Sequence, residues 1–566
     1  MTAESQTTEN TQQQSAAELD EEQNEHRSKK VSVRTGRRLQ KKNVKSDYDV
    51  IVIGSGIGGL VNAALLSLSG QKVCVLEQHY TAGGFTHAYQ RKGYEWDVGV
   101  HYIGEVHREH APLRRIFDVV SENRLKWQAM DAVYDRIFIG DESYDLTAGT
   151  ENFIESLVAK FPEEKQAIID YVHLVRDVSY RSNKYFASQA MPKWLAKVYN
   201  KVRPKLLRRE YFQTTYEVLR SLTDNEQLIG VLTGQWGDYG LPPKQSSFMM
   251  HALLVKHYLN GAAYPVGGAS SIAREIIPTI TQNGGDVFTD AKVEQLLIEN
   301  NRATGVRLAN GMDIKAQQVV SNIGYQNTVR KLLPESVQSQ FKLTTQADKL
   351  KSSGGSLCLY AGFKGSAKEL GLDTTNLWIY PTADHDFTVS EYEKSCGEDN
   401  FPIVYISFPS SKDPKWDERF PGKSTVEIVT LSNMEWFKQW QGSEWNKRGE
   451  DYEALKEKLS QRLLAVLFKH RPQLKDALDY YELSTPLSTE FYQLNDNGEI
   501  YGLEHSLERF KNSSVHTETP IRNFYLTGAD VITAGVGGAT MGGVITTMRM
   551  MGMKKANSIQ TLLRGK

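Results

Sequence analysis

The sequence predicts an α/β protein built around a parallel β-sheet, and the features that predict it follow one another near the start of the chain. Val50 to Ile53 form a short apolar run with the length and composition of a strand buried on both faces. Three glycines follow in a G-x-G-x-x-G turn: Gly54, Gly56 and Gly59. Leu60 to Leu68 then have the composition of a helix, and Lys72 to Leu76 that of a second buried strand, which Glu77 closes. This order of strand, turn, helix, strand and acid predicts a Rossmann-type dinucleotide-binding unit.

The glycine turn has a chemical reason at each position. Gly54 permits the tight turn, Gly56 lets a pyrophosphate come close to the backbone, and Gly59 lets the helix pack on the strand. The free N–H groups at the start of the helix, together with its positive dipole end, favour a phosphate. A glycine-rich turn without a ligand is the alternative, and the complete order of elements argues against it.

The acid at the end of the second strand selects the nucleotide. The Glu77 carboxylate can accept hydrogen bonds from ribose hydroxyls, whereas a 2′-phosphate would meet a like charge. The expected ligand is therefore the adenosine half of FAD or NAD rather than that of NADP. Because no second fingerprint of this kind occurs in the sequence, a separate and stable NAD site is not predicted.

Length and composition argue against several classes of protein. A chain of 566 residues can form two domains or one elaborated domain, and its net charge of −1 does not suggest a nucleic-acid partner. The cysteines Cys74, Cys358 and Cys396 have neither metal-binding nor redox-pair spacing, so we expect no metal site and a reducing compartment. The sequence contains no run of about 18 apolar residues and no apolar signal core, so neither a spanning helix nor secretion is predicted.

The N-terminal arm, residues 1–45, is polar and rich in Gln, Glu, Thr and Ser, and we expect it to be disordered. Its charge is segregated, because residues 18–25 are mostly acidic whereas Arg27 to Lys45 contain basic residues and no acid. A solvated tail and a polybasic segment attracted to anionic lipid both fit this pattern, and nucleic acid is a weaker third option.

The middle of the chain alternates between helical and strand-like stretches. Residues 130–260 are mostly helical in pattern, and residues 266–283 form another helix opened by glycines. Residues 284–324 have the pattern of strands joined by turns and end in a buried strand, Gln318 to Ser321. Residues 335–515 mix strand-like and helical pieces.

A second glycine-rich turn lies near the C-terminus. Asn523 to Thr527 have the composition of a strand, and Gly528 and Asp530 form the turn that follows it. Gly535 to Gly543 then open a helix. No internal repeat is found in the sequence.

Six motifs carry a family resemblance, in the usual order from about residue 47 to the end. They are IVIGSGIGGL (51–60), VLEQHYTAGGFTH (75–87), YEWDVGVHYIG (94–104), YPVGG (264–268), GGDVFTDAKVEQL (284–296) and FYLTGADVITAGVGGATMGG (524–543). In these motifs the chain resembles the FAD-dependent superfamily of phytoene desaturases and carotenoid isomerases, which has an amine-oxidase-like fold. Within that superfamily it is most similar to the branch of all-trans-retinol 13,14-reductases and their bacterial relatives.

The resemblance implies a Rossmann-type FAD-binding domain interwoven with a mixed-sheet plus helical substrate domain. The FAD-binding domain is expected to be assembled from residues 46–125, 265–330 and 515–566. The substrate domain is expected to comprise residues 126–264 and 331–514.

The same resemblance assigns contacts with FAD by matching position. They are Gly54, Ser55, Gly56, Gly58 and Gly59 at the pyrophosphate turn, Glu77 and Gln78 at the adenosine ribose, Gly83 and Gly84 beside the flavin, Val293 at adenine, Asp530 near the ribityl chain, and Gly537 and Gly538 at the helix facing the pyrimidine edge of the flavin. A helix N-terminus at that edge would stabilise the negative charge of reduced flavin. Many carotenoid desaturases have Arg after the paired glycines, whereas this chain has Phe85, which favours the retinol-reductase branch.

The resemblance implies an oxidoreductase that acts on carbon–carbon double bonds of a hydrophobic polyene or lipid, retinoid-like or carotenoid-like. Saturation, desaturation and isomerisation all remain open. His101 and Tyr264 are the candidate catalytic residues, and His101 could donate a proton. The alternative is that His101 only makes a hydrogen bond to its loop or to the flavin. We expect Asp97 to fix the loop rather than to react.

Three other functions remain open at this point. The first is a flavin-dependent desaturase, reductase or isomerase of fatty acyl chains, which would fit a similar tunnel. The second is an amine oxidase on the same fold, which would release peroxide when an amine is added. The third is a lipid-binding flavoprotein that holds flavin without catalysing a reaction.

Residues 190–210 form a candidate membrane-interface helix. Apolar residues recur in it at helical spacing: Met191, Trp194, Leu195, Val198, Tyr199 and Val202. Basic residues surround them: Lys193, Lys197, Lys201, Arg203, Lys205, Arg208 and Arg209. The pattern is typical of a helix at a membrane surface, and a helix packed on its own domain is the alternative. We expect peripheral association with the cytoplasmic side of a membrane and a hydrophobic, lipid-like substrate, for which residues 247–268 could form a tunnel wall.

Overall fold

A six-stranded parallel sheet forms the centre of the fold. The computed structural model describes residues 33–564, and every neighbouring pair of strands in this sheet is parallel. In spatial order the strands are Arg37–Arg38, Asp286–Thr289, Val73–Leu76, Val50–Ile53, Gln318–Ser321 and Phe524–Leu526. Val50–Ile53 lies inside the sheet and is buried along its whole length, as its apolar composition predicts.

The helix after the glycine turn, Ile57–Leu68, begins three residues before the predicted start at Leu60. Gly59 lies in its first turn, where a Cβ atom would be 2.4 Å from the carbonyl oxygen of Gly54. The helix is buried almost throughout, because it packs between the parallel sheet and the C-terminal helix, Gly535–Arg564. The glycine turn and the C-terminal helix are therefore direct neighbours.

A seven-stranded mixed sheet forms the second half of the molecule. In spatial order its strands are Leu478–Ser484, Gly355–Lys364, Lys423–Ser432, Val404–Ser407, Asn376–Tyr380, Val133–Ile139 and Glu142–Thr147. One pair is parallel, Asn376–Tyr380 with Val133–Ile139, and the other pairs are antiparallel. The last two strands occupy the start of a stretch expected to be mostly helical, because residues 133–147 form a hairpin that completes this sheet.

The stretch after this hairpin is helical, as predicted. Its helices are Thr150–Lys160, Lys165–Ala190, Lys193–Leu206, Thr215–Arg220, Glu226–Leu232 and Phe248–Tyr258. We call Lys165–Ala190 the long helix and Lys193–Leu206 the basic helix. The long helix packs against the basic helix and against the C-terminal helix.

Smaller elements connect the two main sheets. Three further sheets consist of Ile103–Gly104 with Ala262–Pro265 and Trp127–Ala129, of Val293–Glu299 with Arg302–Leu308 and Asp313–Lys315, and of Ala88–Arg91 with Tyr94–Asp97. The remaining α-helices are Pro112–Val120, Ser270–Gln282, Tyr325–Asn327, Glu335–Gln340, Leu343–Ala347, His385–Lys394, Pro409–Lys412, Trp416–Arg419, Glu450–His470, Pro486–Gln493 and Leu507–Lys511.

The predicted disordered arm is corrected in its last third. Residues 1–32 lie outside the described part of the chain, but residues 33–45 are placed in the fold. Arg37–Arg38 pairs with Asp286–Thr289 as the edge strand of the parallel sheet. The carboxylate of Asp286 forms salt bridges with Arg37 at 2.7 Å and with Lys45 at 2.9 Å. Arg37 and Lys45 therefore have an acidic partner within the protein, which composition alone does not reveal.

The expected division into two assembled domains stays a prediction. Apart from Arg37–Arg38, the strands of the parallel sheet fall in the segments expected for FAD binding, and those of the mixed sheet fall in the segments expected for the substrate. Within residues 33–564, none of the helices is long and apolar enough to cross a bilayer.

Candidate active site

A cavity of about 1560 Å³ reaches from the parallel sheet to the mixed sheet. At one end it is lined by residues at the carboxyl ends of parallel strands, including Ile53 and Leu76. At the other end Tyr405 and Val429 of the mixed sheet form the wall. Ligands of open parallel sheets bind at the carboxyl ends of the strands, so the cavity lies where the fold favours a ligand.

The first glycine turn forms one edge of the cavity. Gly54 has φ +89° and, like Gly56 and Gly58, lines the cavity. A Cβ atom on Gly56 would meet only the side-chain nitrogen of Asn322, at 3.0 Å, and the space beyond it is open. Asn322 donates from that nitrogen to the carbonyl oxygens of Gly54 and Gly56, at 3.4 and 3.3 Å. The Asn322 side chain thus holds the turn, and among the described residues no other side chain fills the space beside Gly56.

Glu77 is held in place by the turn itself. Ser55 donates from its backbone N–H (2.9 Å) and its hydroxyl (2.6 Å) to one carboxylate oxygen of Glu77. The other oxygen accepts from the backbone N–H of His79 at 2.9 Å. The Ser55 hydroxyl also accepts from the N–H of Gly83 at 3.0 Å, so it connects the two glycine loops. Ser55 is buried and does not line the cavity, so it supports Glu77 and the second glycine loop, and its direct contact with FAD stays a prediction.

The second glycine loop touches the first. Gly83 and Gly84 have φ +124° and +56° and line the cavity, and a Cβ atom on Gly84 would be 2.9 Å from the Cα atom of Gly56. Gln78 also lines the cavity and donates to the carbonyl oxygen of Tyr492 at 2.9 Å. Gly59 does not line the cavity, because it packs the first helix against the turn.

Asp530 lines the cavity from the C-terminal side. Its carboxylate accepts from the backbone N–H groups of Tyr325, at 2.6 Å, and Leu503, at 2.9 Å. It thereby joins three segments of chain beside the ligand space. Three further predicted FAD contacts line the same cavity: Val293, Gly537 and Gly538.

His101 lines the cavity on the side of the mixed sheet. Its Nδ1 atom lies 2.7 Å from Oε2 of Glu427, whose side chain is fully buried. Burial lowers the pKa of His101 to about 3 and raises the pKa of Glu427 to about 8. Around neutral pH the pair is therefore a neutral imidazole that accepts a hydrogen bond from a protonated carboxyl group. Lys412 donates to the backbone carbonyl of His101 at 3.0 Å.

Tyr264, the second predicted catalytic residue, is placed away from the cavity. It is buried, does not line the cavity and donates its hydroxyl to Asp97. The other oxygen of Asp97 accepts from the backbone N–H of Ala269 at 3.0 Å. Tyr264 and Asp97 therefore fix the loop that precedes His101, and a catalytic role for Tyr264 stays a prediction.

Comparison with known proteins decides the family. The family model for flavin containing amine oxidoreductases matches residues 57–551. The chain belongs to this family. The match includes the first helix, the second glycine loop, the mixed sheet and most of the C-terminal helix.

Individual known proteins also match most of the chain. An all-trans-retinol 13,14-reductase from Danio rerio is 37% identical over 519 residues, which cover 88% of this chain and 85% of that protein. A chloroplastic prolycopene isomerase from Daucus carota is 27% identical over 465 residues, or 81% of this chain and 72% of that protein. The solved structure of cyclohexylamine oxidase from Brevibacterium oxydans covers 91% of this chain and 100% of its own, with a TM-score of 0.56 at 15% identity. These similarities confirm the predicted superfamily and the amine-oxidase-like α/β fold.

FAD is the cofactor of this flavin amine oxidoreductase, and the residues present fit it. The bare inner face at Gly56 leaves room for a pyrophosphate beside the start of the first helix. The Glu77 carboxylate stands at the end of the second strand, where a ribose is bound in this fold. The cavity then continues past Asp530 and is large enough for a flavin and a substrate together.

Sequence reasoning missed three residues at the site: Asn322, Lys412 and Glu427. Glu427 carries a recognisable signal, because it is an acid in the middle of the apolar run STVEIVTL. Asn322 follows the buried strand Gln318–Ser321, at the end where parallel strands present ligand contacts. Lys412 has no such signal. Among residues 33–564, no group of His, Cys, Asp and Glu is arranged to hold a metal ion.

Proposed function

We propose that this flavin amine oxidoreductase acts on a carbon–carbon double bond of a retinoid or carotenoid. The observation that carries the proposal is the similarity to the all-trans-retinol 13,14-reductase, at 37% identity over 88% of the chain. The cavity supports it, since apolar side chains form the wall beyond the glycine loops. They include Phe186, Met250, Leu253, Leu254, Ile403 and Leu431. A long apolar polyene matches such a wall.

The cofactor and the residues of the site have different roles in the reaction. Bound FAD supplies or accepts the hydride at the double bond. The glycine loops, Glu77 and Asp530 hold it in place. The apolar wall excludes water from the reacting carbons, and His101 holds a proton at the edge of the cavity. The likeness to an amine oxidase, at 15% identity, extends to the fold alone and lends no support to an amine substrate.

The direct test is to purify the protein, scan its absorbance and identify co-extracted lipid by mass spectrometry. The reduced flavoprotein is then mixed anaerobically with all-trans-retinol, a carotenoid, a fatty acid or an amine. We expect a yellow protein whose reduced flavin is reoxidised by the retinoid or carotenoid, with a product two hydrogens heavier. Reoxidation by the fatty acid alone would reassign the substrate, and peroxide release on amine addition would reassign the reaction. A flavin spectrum that responds to none of them in either oxidation state, with every added compound recovered unchanged, would indicate a lipid-binding flavoprotein.

We further propose that the basic helix docks on an anionic membrane on the cytoplasmic side. Its apolar side chains are exposed rather than packed, as Trp194 (70%), Val198 (56%) and Leu206 (58%) show. The exposed residues Lys197 and Lys201 are interleaved with them in the chain. An apolar stripe between basic residues is suited to the interface of a bilayer with anionic lipid.

Two predicted members of the basic surface have other roles. Arg203 is buried, with its guanidinium 4.0 Å from the ring centre of Tyr185 and a hydrogen bond to the carbonyl oxygen of Tyr185 at 3.2 Å. Burial also lowers the pKa of Lys193, whose backbone N–H donates to Glu518 at 2.7 Å. The exposed lysines of the middle and end of the helix therefore carry the attraction to lipid.

The cavity opens beside this surface. Met191, at the junction of the long and basic helices, lines the cavity, as do the exposed side chains of Tyr180 and Met541. Tyr180 belongs to the long helix and Met541 to the C-terminal helix. A substrate dissolved in a bilayer under the basic helix would meet an apolar entrance at this point.

Flotation with vesicles tests the docking. The triple variant Lys197→Glu, Lys201→Glu and Lys205→Glu should lose binding to vesicles of phosphatidylcholine with phosphatidylserine, whereas the wild type should bind and release at high salt. A matched control reverses three exposed lysines around the mixed sheet, Lys368, Lys415 and Lys475, and should still bind. Equal binding by the triple variant and the control would contradict the docking.

A further inference from the structure

We infer that Glu427 is a positioning residue that stores a proton behind His101, so that the two side chains relay it to the substrate carbon. The inference deepens the proposed function and rests on it. His101 is the catalytic residue of the pair, since it lies at the cavity, and Glu427 acts through it.

The backbone geometry aims Glu427 at the cavity wall. Glu427 belongs to the strand Lys423–Ser432, and side chains two residues apart in a strand point to the same face. Val429 and Leu431, at that spacing, line the cavity. Glu427 is therefore on the cavity face of the strand but is covered by His101, which accounts for an acid within an apolar sequence.

Both oxygens of Glu427 have fixed partners. Oε1 accepts from the backbone N–H of Asp97 at 2.6 Å, and Oε2 lies 2.7 Å from Nδ1 of His101. With Nδ1 engaged, Nε2 is the ring nitrogen available to the cavity. An imidazole held in this way has one tautomer and one orientation, as general acid catalysis requires.

Charged and titratable groups surround Glu427 on every element packed against it. They are Asp97 from the strand Tyr94–Asp97, His101 from the loop after it, Tyr264 from the strand Ala262–Pro265, Lys412 from the helix Pro409–Lys412, Cys358 and Tyr360 from one adjacent strand, and Tyr405 from the other adjacent strand, Val404–Ser407. Lys412 is buried, and burial lowers its pKa to about 8. Its ammonium group opposes the effect of burial on Glu427, so the carboxylate that remains after proton transfer faces a positive charge.

The transfer balances in atoms and electrons. Bound FAD in its reduced form would supply a hydride, with both electrons of the reduction, to one alkene carbon. The π electrons form a bond from the neighbouring carbon to the proton on Nε2 of His101, and the N–H bond leaves its pair on Nε2. The carboxyl proton of Glu427 moves to Nδ1. The imidazole ends neutral in its other tautomer, Glu427 ends as a carboxylate, and solvent returns the proton.

Glu427→Gln tests the relay, because the amide can still accept from Asp97 but carries no acidic proton. In single-turnover reduction of the polyene we expect about a hundredfold loss at pH 7. The wild-type rate should fall as the pH rises above about 8, and the variant rate should not depend on pH there. Glu482→Gln is the matched control. Glu482 also pairs with Tyr360, from the other side, but does not line the cavity, and this variant should keep the wild-type profile.

A spectroscopic measurement separates this inference from the proposed function. Infrared difference spectra of the purified proteins between pH 7 and pH 9 should contain the signal of a buried carboxyl group that loses its proton near pH 8, in the wild type and in Glu482→Gln. The signal should be missing in Glu427→Gln. Its loss in Asp97→Asn instead would place the proton on Asp97 and overturn the assignment, as would an unchanged pH profile in Glu427→Gln. If no polyene is reduced although the signal belongs to Glu427, the proposed function fails while the proton store stands.

Discussion

At the scale of single residues, Gly56 and Gly58 of the first glycine turn are needed for different reasons. A Cβ atom on Gly58 would be 2.7 Å from the Cα atom of Gly528 and 2.9 Å from the carbonyl oxygen of Ala539. A Cβ atom on Gly56 would meet only the Asn322 amide, and its φ of −56° suits any residue. A side chain at Gly58 would therefore clash with the protein backbone. At Gly56, we expect a side chain to interfere with the bound ligand instead.

Alanine substitution should separate these two roles. Gly56→Ala should lose FAD, seen as a colourless protein, while the free energy of unfolding of the flavin-free chain changes by less than about 1 kcal/mol. Gly58→Ala should lower that free energy by about 1–3 kcal/mol, because two backbones must move apart. Flavin absorbance per protein and urea unfolding measure the two effects. A Gly56→Ala protein that retains its flavin would show that the turn does not hold the pyrophosphate.

Glu427 should also make stability depend on pH. An unfolded glutamate loses its proton near pH 4.5, and the folded one near pH 8. Between these values the folded state holds one more proton than the unfolded state, so stability falls as the pH rises, and the contribution is lost through pH 8. From pH 6.5 to 8 the free energy of unfolding of the wild type should fall more steeply than that of Glu427→Gln, by about 1.4 kcal/mol per pH unit. Parallel curves from urea unfolding would contradict the assigned protonation.

At this scale, the sequence could predict the site residues whose partners lie close to them in the chain. The glycine turn and Glu77 are recognisable because their chemistry depends on residues close together in the chain. Glu427 and His101 are 326 residues apart, and the hydrogen bond between them exists only because the mixed sheet lies against the loop after Asp97. The burial of Tyr264 depends in the same way on its contact with Asp97, which lies 167 residues away in the chain.

At the scale of elements, the edge strand Arg37–Arg38 shows where composition misleads. A polar, basic segment is expected to stay solvated, but Asp286 draws it to the sheet. The carboxylate also accepts from the hydroxyl of Tyr48 at 2.8 Å, so one buried acid secures three side chains of the N-terminal segment. Asp286 lies at least 238 residues from these three side chains in the chain, so no local sequence pattern could predict the contacts.

Removing the charge of Asp286 should loosen this segment. In Asp286→Asn we expect trypsin to cut several-fold faster at the basic residues between Arg37 and Lys45, and stability to fall by about 1 kcal/mol, because the two basic partners are largely solvent-exposed. Asp290→Asn is the matched control, since Asp290 faces only the exposed Arg38. The time course of proteolysis, read by mass spectrometry, compares them. Equal rates in the two variants would show that the salt bridges do not retain the strand.

At the scale of the whole molecule, the cavity is built from parts that no single stretch contains. The two glycine loops, Val293 and Asp530 come from widely separated segments and meet around one space. The parallel order of the first sheet was predictable from its buried apolar strands, and the family resemblance supplied the mixed sheet. The hairpin of residues 133–147 escaped prediction, because its strands gain partners only from the rest of the mixed sheet.

Because FAD contacts these separated segments at once, it should stabilise both halves as one unit. At a free concentration of 100 times Kd, FAD should raise the free energy of unfolding by about 2.7 kcal/mol. Trp378 lies in the mixed sheet and none of the parallel strands contains tryptophan, so tryptophan fluorescence reports mainly on the mixed-sheet half and released flavin on the other. The two signals should change in one transition that moves with FAD concentration in the wild type but not in Gly56→Ala. If the midpoint of the tryptophan transition did not change with FAD concentration, the cofactor would stabilise the parallel-sheet half alone. The cavity would then not couple the two sheets.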